Sequence, residues 1–497
     1  MVGLTIINIS KNMNKLSSIF LGVAVLFSLT GTHAQTIGAD SADQVGNTLS
    51  LQQAVTIAIR HNLLVNQADI QAQVGKVNYN QAWDYMLPTL NGQINEARLS
   101  GRNLNTTTYQ YVNTSQMAGS YSLNTNLTLF NGLTIQNGIK QYHYAYDASK
   151  MDLQQQKNNI TLNVLLAYLQ ILSTRDLLAI AKEQASVDSI QMSRLDTLNQ
   201  AGALLLLSNL TDLKGQYAGD LANIATATNN FEAAKINLFN ILNVPYNRNV
   251  EYDQSAFTVH LAEYNDDPDS VYRRSLETMP SVKAAQLRVN SFQKALLVAK
   301  GAYYPSLTFY GSVNSNWSDQ NLTGIPSNIS SDTTGYVNVS GTKYYTFADH
   351  QQYDYHKISI WDQAKNNRNQ QFGVQLNIPI LNYLRVRNNV KQARLNLKNQ
   401  QLISDNTRLV LQQNVEIAYQ NMIAAYKQYK FYIDQAAAYG ESFRTTEIRF
   451  NEGVINSDVY ILAKNRTDAA NINLAAAKYT YIFRTKVLDY YQGKLTW

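Results

Sequence analysis

The sequence has no cysteine among its 497 residues, which excludes disulfides, thiolate metal sites and cysteine nucleophiles. Proline is nearly as scarce. Seven prolines, at positions 88, 245, 268, 280, 305, 326 and 379, leave 89–244 and 380–497 with none. Because proline breaks a helix interior, stretches of that size predict very long helices. Charge is low too, at 15% of residues against about 25% in ordinary soluble proteins. The six histidines show no HExxH spacing, and no GxGxxG or P-loop pattern occurs, so zinc-hydrolase and nucleotide chemistry have no foundation. His350 and His356, with Asp349 and Asp354 nearby, read as solvated side chains of a polar segment. No cofactor, metal or catalytic residue is expected, and length alone is no argument for an enzyme.

What is present begins with an export signal over 1–34. Lys11 and Lys15 precede an apolar run from Ile19 to Leu29, and Thr32-His33-Ala34 supplies a small-residue cleavage site. Met13 fits the pattern as an alternative start. Loss of the two lysines lowers the formal charge from +6 to +4, and no basic run exists, so no nucleic-acid partner is expected. The apolar run is too short for an ordinary transmembrane helix, and the reading finds none later. With no cysteine at the cleavage site, an N-terminal lipid anchor is not expected either.

The chain is written twice. Asn163-Val164-Leu165-Leu166-Ala167-Tyr168 matches Asn414-Val415-Glu416-Ile417-Ala418-Tyr419 at a separation of 251, as do Asn126 and Asn377, Asn131 and Asn382, and Gly202 and Gly453. Upstream, Pro88 pairs with Pro305 at 217, and Asn62-Leu63 falls opposite Met279-Pro280. The second copy therefore carries an insertion between 305 and 377, and the polar stretch 318–370 is its expected home, read as an enlarged loop. The first repeat covers 35–267 and the second 268–497. Each predicts a helix (Leu49 to about Tyr85; about Ser270 to Tyr303), a strand, a loop, a strand, a very long helix and a last helix. The long helices, about 133–198 and 384–449, each span roughly 100 Å at 1.5 Å per residue. Helices of that length persist by packing side by side. Leu162, Leu165, Leu169 and Leu172 have the spacing of a coiled-coil seam.

Four segments alternate with period two. Tyr121–Phe130, Ser306–Trp317 and Phe372–Ile380 each set apolar residues against Asn, Ser, Thr and Gln; Thr89–Leu99 slips phase at Ala97 and Leu99, which predicts a bulge. Segments of about ten residues with such alternation suit an outer-membrane β-barrel. A half-buried soluble sheet alternates as well. The export signal, the uncharged polar faces and the strand-end aromatics Tyr121, Phe130, Trp317 and Phe372 favour the barrel. Four strands cannot close one, and open edges are forbidden in lipid. The chain must then pool its strands with copies of itself, and the polar inner faces favour a trimer around a water-filled lumen.

These features together resemble the TolC family of outer-membrane efflux channels. Leu49-Ser50-Leu51-Gln52-Gln53-Ala54-Val55 opens the first helix, Leu87-Pro88 and Tyr304-Pro305 precede strands, Leu129-Phe130-Asn131-Gly132 re-enters the long helix, and Gly202 and Gly453 mark helix–helix turns. The resemblance spans roughly 48 to 495. It implies an α+β membrane protein: a homotrimer with a 12-stranded transmembrane β-barrel, four strands per protomer, and a long antiparallel α-helical barrel extending into the periplasm. Such a duct serves tripartite efflux or type I secretion, and its partners are the bilayer, a periplasmic adaptor and an inner-membrane transporter. Asn124, Asn126, Asn314, Asn316, Gln375 and Asn377 are then expected in the barrel lumen.

The periplasmic aperture candidates are Gly202, Leu204, Leu205, Phe450, Glu452, Gly453, Ile455 and Asp458. Here the sequence departs from the family's pattern of charged rings: Ser208 and Val459 stand where an aspartate is usual, Ile455 replaces an arginine and Phe450 an aromatic hydroxyl. Leu204 to Leu207 suggest a hydrophobic gate, with Asp458 as the candidate acidic ring; equally, the leucines can pack the hairpin against its neighbours. The rival reading of the whole chain is an exported helical scaffold without a pore. It accounts for the long helices but not for paired amphipathic strands in both repeats.

Overall fold

The computed structural model describes residues 48–104, 109–201, 207–253, 264 and 266–494. The export signal lies outside the described residues. The first half runs β1 (Thr48–Leu49), α1 (Leu51–His61), α2 (Leu63–Asp84), β2 (Thr89–Leu104), β3 (Tyr111–Asn131), α3 (Thr134–Gln200), α4 (Leu207–Leu242) and β4 (Glu251–Tyr252). The second runs α5 (Pro268–Thr278), α6 (Pro280–Gly301), β5 (Ser306–Ser318), β6 (Leu322–Val339), β7 (Thr342–Lys357), α7 (Ile360–Asn366), β8 (Asn369–Asn377), α8 (Arg385–Asn451) and α9 (Ser457–Tyr491).

The tandem repeat recurs in the elements themselves. Helices α1 and α2 return as α5 and α6 at an offset of 217, and the long α3 returns as α8 at 251, both 67 residues long. Each long helix also starts from a leucine in left-handed conformation, Leu133 and Leu384.

The first helix of each repeat is broken where the sequence reading ran it through. Asn62 and Met279 both adopt extended backbone between two helices. Pro280 forces Met279 out of the helical region. At Asn62 the side chain caps Leu64 N at 2.9 Å and donates to the Ile241 carbonyl at 2.9 Å, replacing the interrupted helical bonds. Ahead of it, Ser50 and Gln53 close a capping box.

Strand order in the main sheet is β2-β3-β5-β8, antiparallel throughout. The expected bulge in the first strand is absent: β2 pairs with β3 without a slip from Thr89–Asn126 to Leu104–Tyr111. Ala97 and Leu99 simply sit among the polar side chains. The register shift falls instead between Thr128 and Phe130, opposite β5. It turns Phe130 onto the face that carries Leu127. Cross-strand glycines admit aromatic rings: a Cβ at Gly373 would meet the Tyr310 ring at 2.7 Å, and one at Gly311 the Phe372 ring at 2.8 Å.

The stretch 318–370 is not an irregular loop. It folds as the β6–β7 hairpin followed by α7. Ser340 and Gly341 both take positive φ, the two-residue turn that fits strand twist, and the Asn338 side chain accepts from Gly341 N at 3.1 Å. Buried Gln363 ties the base together, accepting from Ser318 N and donating to the Ser318 and Ile358 carbonyls.

The core runs along the middle of α3. Leu165, Leu169 and Leu172 of the expected seam are buried, but so are Val164, Ala167, Tyr168 and Ile171. A helix apolar on most sides is packed on most sides. Its central window is hydrophobic enough to cross a bilayer, yet 56% of that window is buried inside the molecule. The Tyr168 hydroxyl lies 2.8 Å from the Leu49 and Asp253 carbonyls, tying α3 to the small parallel β1–β4 sheet.

Candidate functional site

The sheet segregates its side chains completely enough to define two faces. Directly paired residues share a face, so the register fixes membership. Thr89, Asn91, Gln93 and Asn95 of β2 align with Asn126, Asn124, Ser122 and Ser120 of β3. Those in turn align with Tyr310, Ser312, Asn314 and Asn316 of β5, and Ser306 and Thr308 pair with Asn377 and Gln375 of β8. All six lumen candidates therefore lie on one polar face. The other face carries Leu90, Ile94, Leu123, Leu127, Phe309, Val313, Phe372, Val374 and Leu376. Several of these are largely exposed, Leu90 at 68% and Phe372 at 63%.

Among the described residues both outer strands, β2 and β8, keep an unpaired edge within the chain. An apolar face open to the outside, a polar face behind it and two free edges is an incomplete structure in water and in lipid alike.

Where the sheet meets the helices, large side chains are exposed in every connecting segment. They are Trp83 at the end of α2 with Tyr85 and Leu87 after it, Leu133 before α3, Tyr303 and Tyr304 after α6, and Ile380, Leu381 and Tyr383 after β8. Of the strand-end aromatics, Phe130 and Phe372 are exposed, Tyr121 is half-buried, and Trp317 is buried over Gly119. The junction band is what the sequence reading missed. Its signal was Tyr85-Met86-Leu87-Pro88 and Tyr303-Tyr304-Pro305, used only as strand markers.

At the other end of the long helices, Gly202, Leu204 and Leu205 lie outside the described residues. Gly453 takes φ +72 at the turn between α8 and α9, with Glu452 and Asp458 exposed beside it and Ile455 half-buried. Phe450 does not reach the surface. Its ring stacks on Tyr460 at 4.6 Å within a cluster that includes Leu195, Leu210 and Leu213, because all four helices converge there. Asp458 occupies the first turn of α9, where the helix dipole stabilises a carboxylate.

Polar links pin the α3–α4 hairpin to the α8–α9 hairpin at this tip. The Arg194 guanidinium donates to the Asn451 carbonyl at 2.8 Å and to its side-chain oxygen. Ser457 donates through its hydroxyl to Asp212 at 2.8 Å and through its backbone N–H to Asn209 at 3.2 Å. Gln191 donates to Glu447 at 3.3 Å. None of these residues stands out in the sequence, since each pair is separated by about 250 positions.

The chain aligns with the outer membrane protein VceC of Vibrio cholerae at a TM-score of 0.70 and 11% identity, covering 89% of this chain and 96% of that one. With the CmeC outer membrane channel of Campylobacter jejuni the TM-score is 0.66 at 15% identity, covering 89% and 85%. With the open state of the MtrE outer membrane channel of Neisseria gonorrhoeae it is 0.64 at 15% identity, covering 89% and 88%. No curated protein matches the sequence. Residues 271–485 match the outer membrane efflux protein family. The family and these structural relatives are channels rather than enzymes. The chain thus carries an outer membrane efflux protein domain on the fold of the TolC-family channels.

Proposed function

We propose that three copies of the chain pool their four-stranded sheets into one closed 12-stranded barrel in the outer membrane, continued by a helical barrel across the periplasm. The observation that carries this reading is the amphipathic sheet with two unpaired edges. Joining β8 of one copy to β2 of the next removes every edge, faces Leu90, Phe372 and Val374 to lipid, and turns the asparagine face inward. Twelve strands leave a lumen that side chains do not fill. Asn124, Asn126, Asn314, Asn316, Gln375 and Asn377 line it, and the exposed Tyr85, Tyr303, Tyr304 and Tyr383 lie at the periplasmic interface of the outer membrane, where amphipathic rings are favoured.

The duct is passive. An inner-membrane transporter supplies the energy, and a periplasmic adaptor grips the hairpin tips around 199–208 and 450–459, as part of a tripartite efflux or type I secretion machine. At the tip the leucines from Leu204 onward form the gate, and Glu452 and Asp458 supply the exposed acidic groups. Single-channel recording of Leu204→Ser and Leu205→Ser tests the gate, which predicts a raised closed-state conductance; an unchanged value assigns the leucines to hairpin packing.

The reading as a whole is tested by extracting the protein from outer membranes in mild detergent and measuring its mass by light scattering corrected for bound detergent. A trimer that conducts in planar bilayers is expected. A monomer released by osmotic shock and soluble without detergent refutes the barrel and leaves a helical scaffold.

A further inference from the structure

About 20 Å above the tip, at 1.5 Å per helical residue, the two hairpins share a buried ionic cluster that the duct reading leaves without a role. Lys464 on α9 is 1% exposed, and its Nζ lies 2.7 Å from Asp468, 3.2 Å from Asp188 on α3 and 3.3 Å from Asp220 on α4. Asp188 and Asp220 are buried as well. Three carboxylates thus surround one ammonium, and two negative charges go uncompensated if every acid is ionised.

An uncompensated charge is costly in a protein interior, so such a cluster holds on to a proton. Asp188 has the 3.2 Å ion pair with Lys464, and among the described residues its oxygens accept no other hydrogen bond. Its neighbour Asp220 provides one only when one of the two carboxyls is protonated. The remaining titratable groups facing the cluster reinforce this. They are Glu183 on α3, Glu447 on α8 and the Tyr460 phenol on α9. The Lys478 ammonium lies farther off, 3.8 Å from Asp176. Burial, with Asp220 alongside, pushes the Asp188 carboxyl up to about 7 against the pull of Lys464. Burial raises Asp468 too, and although burial opposes the Lys464 charge, the carboxylates hold that lysine above its ordinary value.

A cavity reaches the edge of the cluster. Lys464, Asp468 and Gln184 line a cavity of about 760 Å³ between α3, α8 and α9.

We propose that Asp188 and Asp220 on one helical hairpin, with Lys464 and Asp468 on the other, form a proton-operated clasp between the two hairpins of the protomer. Protonated, the Asp188–Asp220 pair shares a hydrogen bond between α3 and α4, and one negative charge fewer is left uncompensated where they pack on Lys464 of α9. Ionised, both carboxylates face Asp468 across the junction with two negative charges uncompensated, and separation of the hairpins lets water reach them. The consequence at the aperture rests on the duct reading; the clasp itself does not.

The sign follows from the two states. A carboxyl near 7 in the closed packing and near an ordinary 3.9 when hydrated makes rising pH favour the parted state. Between pH 5.5 and 8.5 the ratio of parted to closed rises about 30-fold.

Hydrogen exchange read by mass spectrometry on the detergent-extracted full-length protein, corrected for intrinsic rates, tests this at residues 184–192 and 460–468. The wild type is expected to open about 30-fold more at pH 8.5 than at pH 5.5. Asp188→Asn keeps the shape and donates like the protonated acid, so it should stay at the acid level throughout; Asp220→Asn serves the same purpose if that variant does not assemble. Exchange in the wild type that ignores pH, or a titration that survives in both variants, overturns the clasp. Bilayer recordings at the same pH values separate the two readings. Open probability tracking the exchange supports both, whereas titrating exchange in a protein that never conducts refutes the duct and leaves the clasp standing.

Discussion

Gly132→Ala is predicted to be among the most damaging single-methyl changes in the molecule. Gly132 joins β3 to α3 with φ +66, and a Cβ built there collides with the Gly301 carbonyl oxygen and lies 2.9 Å from the Tyr304 Cβ. Two costs are involved, and the repeat separates them. The equivalent residue in the second copy is Tyr383, which holds φ +53 with its side chain fully exposed. A left-handed residue is therefore tolerated where nothing abuts it, at about 1–2 kcal/mol. At Gly132 overpacking against the Gly301 backbone adds about 1–3 kcal/mol, for a total of about 2–5 kcal/mol. The control is Gly138→Ala, four residues past the start of α3, where an added Cβ meets nothing within 4 Å. That change should stabilise by about 0.5–1 kcal/mol. Urea unfolding of the two detergent-solubilised variants beside wild type decides the matter. Equal midpoints, or a Gly132→Ala protein as stable as wild type, refute the claim that close approach of two backbones sets this junction.

Arg194→Ala removes both hydrogen bonds to Asn451 at the exposed tip; at about 1–2 kcal/mol after allowance for solvent, the open-to-closed ratio should rise about tenfold in single-channel records. Asn124→Lys should move the reversal potential in a salt gradient towards anion selectivity, and no movement would take Asn124 out of the lumen. Lys464→Met strips the cation from three carboxylates and should cost about 3–5 kcal/mol at pH 8.5. The raised Asp188 carboxyl means that protonation favours the folded state, so stability falls as pH rises towards about 7 and is regained on acidification. The defect should therefore shrink at pH 5.5 when thermal unfolding is followed at both pH values.

The sequence was most legible where physics acts between neighbours at fixed spacing. Period-two alternation named the four strands of the sheet, and their polar residues share one face because pleating leaves no other choice. Proline placement and the 251-residue repeat located both long helices to within two residues at each end. Propensity failed where a tertiary contact overrides it. The break at Asn62 depends on the Ile241 carbonyl, which lies 179 residues away. The 318–370 stretch reads as a loop because β6 and β7 are exposed on both faces and so carry no clean hydrophobic rhythm.

The tip was the least legible part, and the repeat explains why. Shifted by 251, the cluster residues Asp188, Asp220, Lys464 and Asp468 correspond to Tyr439, Asn471, Leu213 and Tyr217. The duplication therefore preserved the helices but not the chemistry between them. In the proposed trimer, hairpins of the two repeats alternate around the axis. One junction, within a protomer, is ionic; the matching positions of the other repeat carry no charge. A proton reaching Asp188 thus acts on one type of junction and leaves the other untouched. Hairpins would then part within protomers while contacts between protomers hold the assembly together, which is the asymmetry an opening motion needs if the trimer is to survive it.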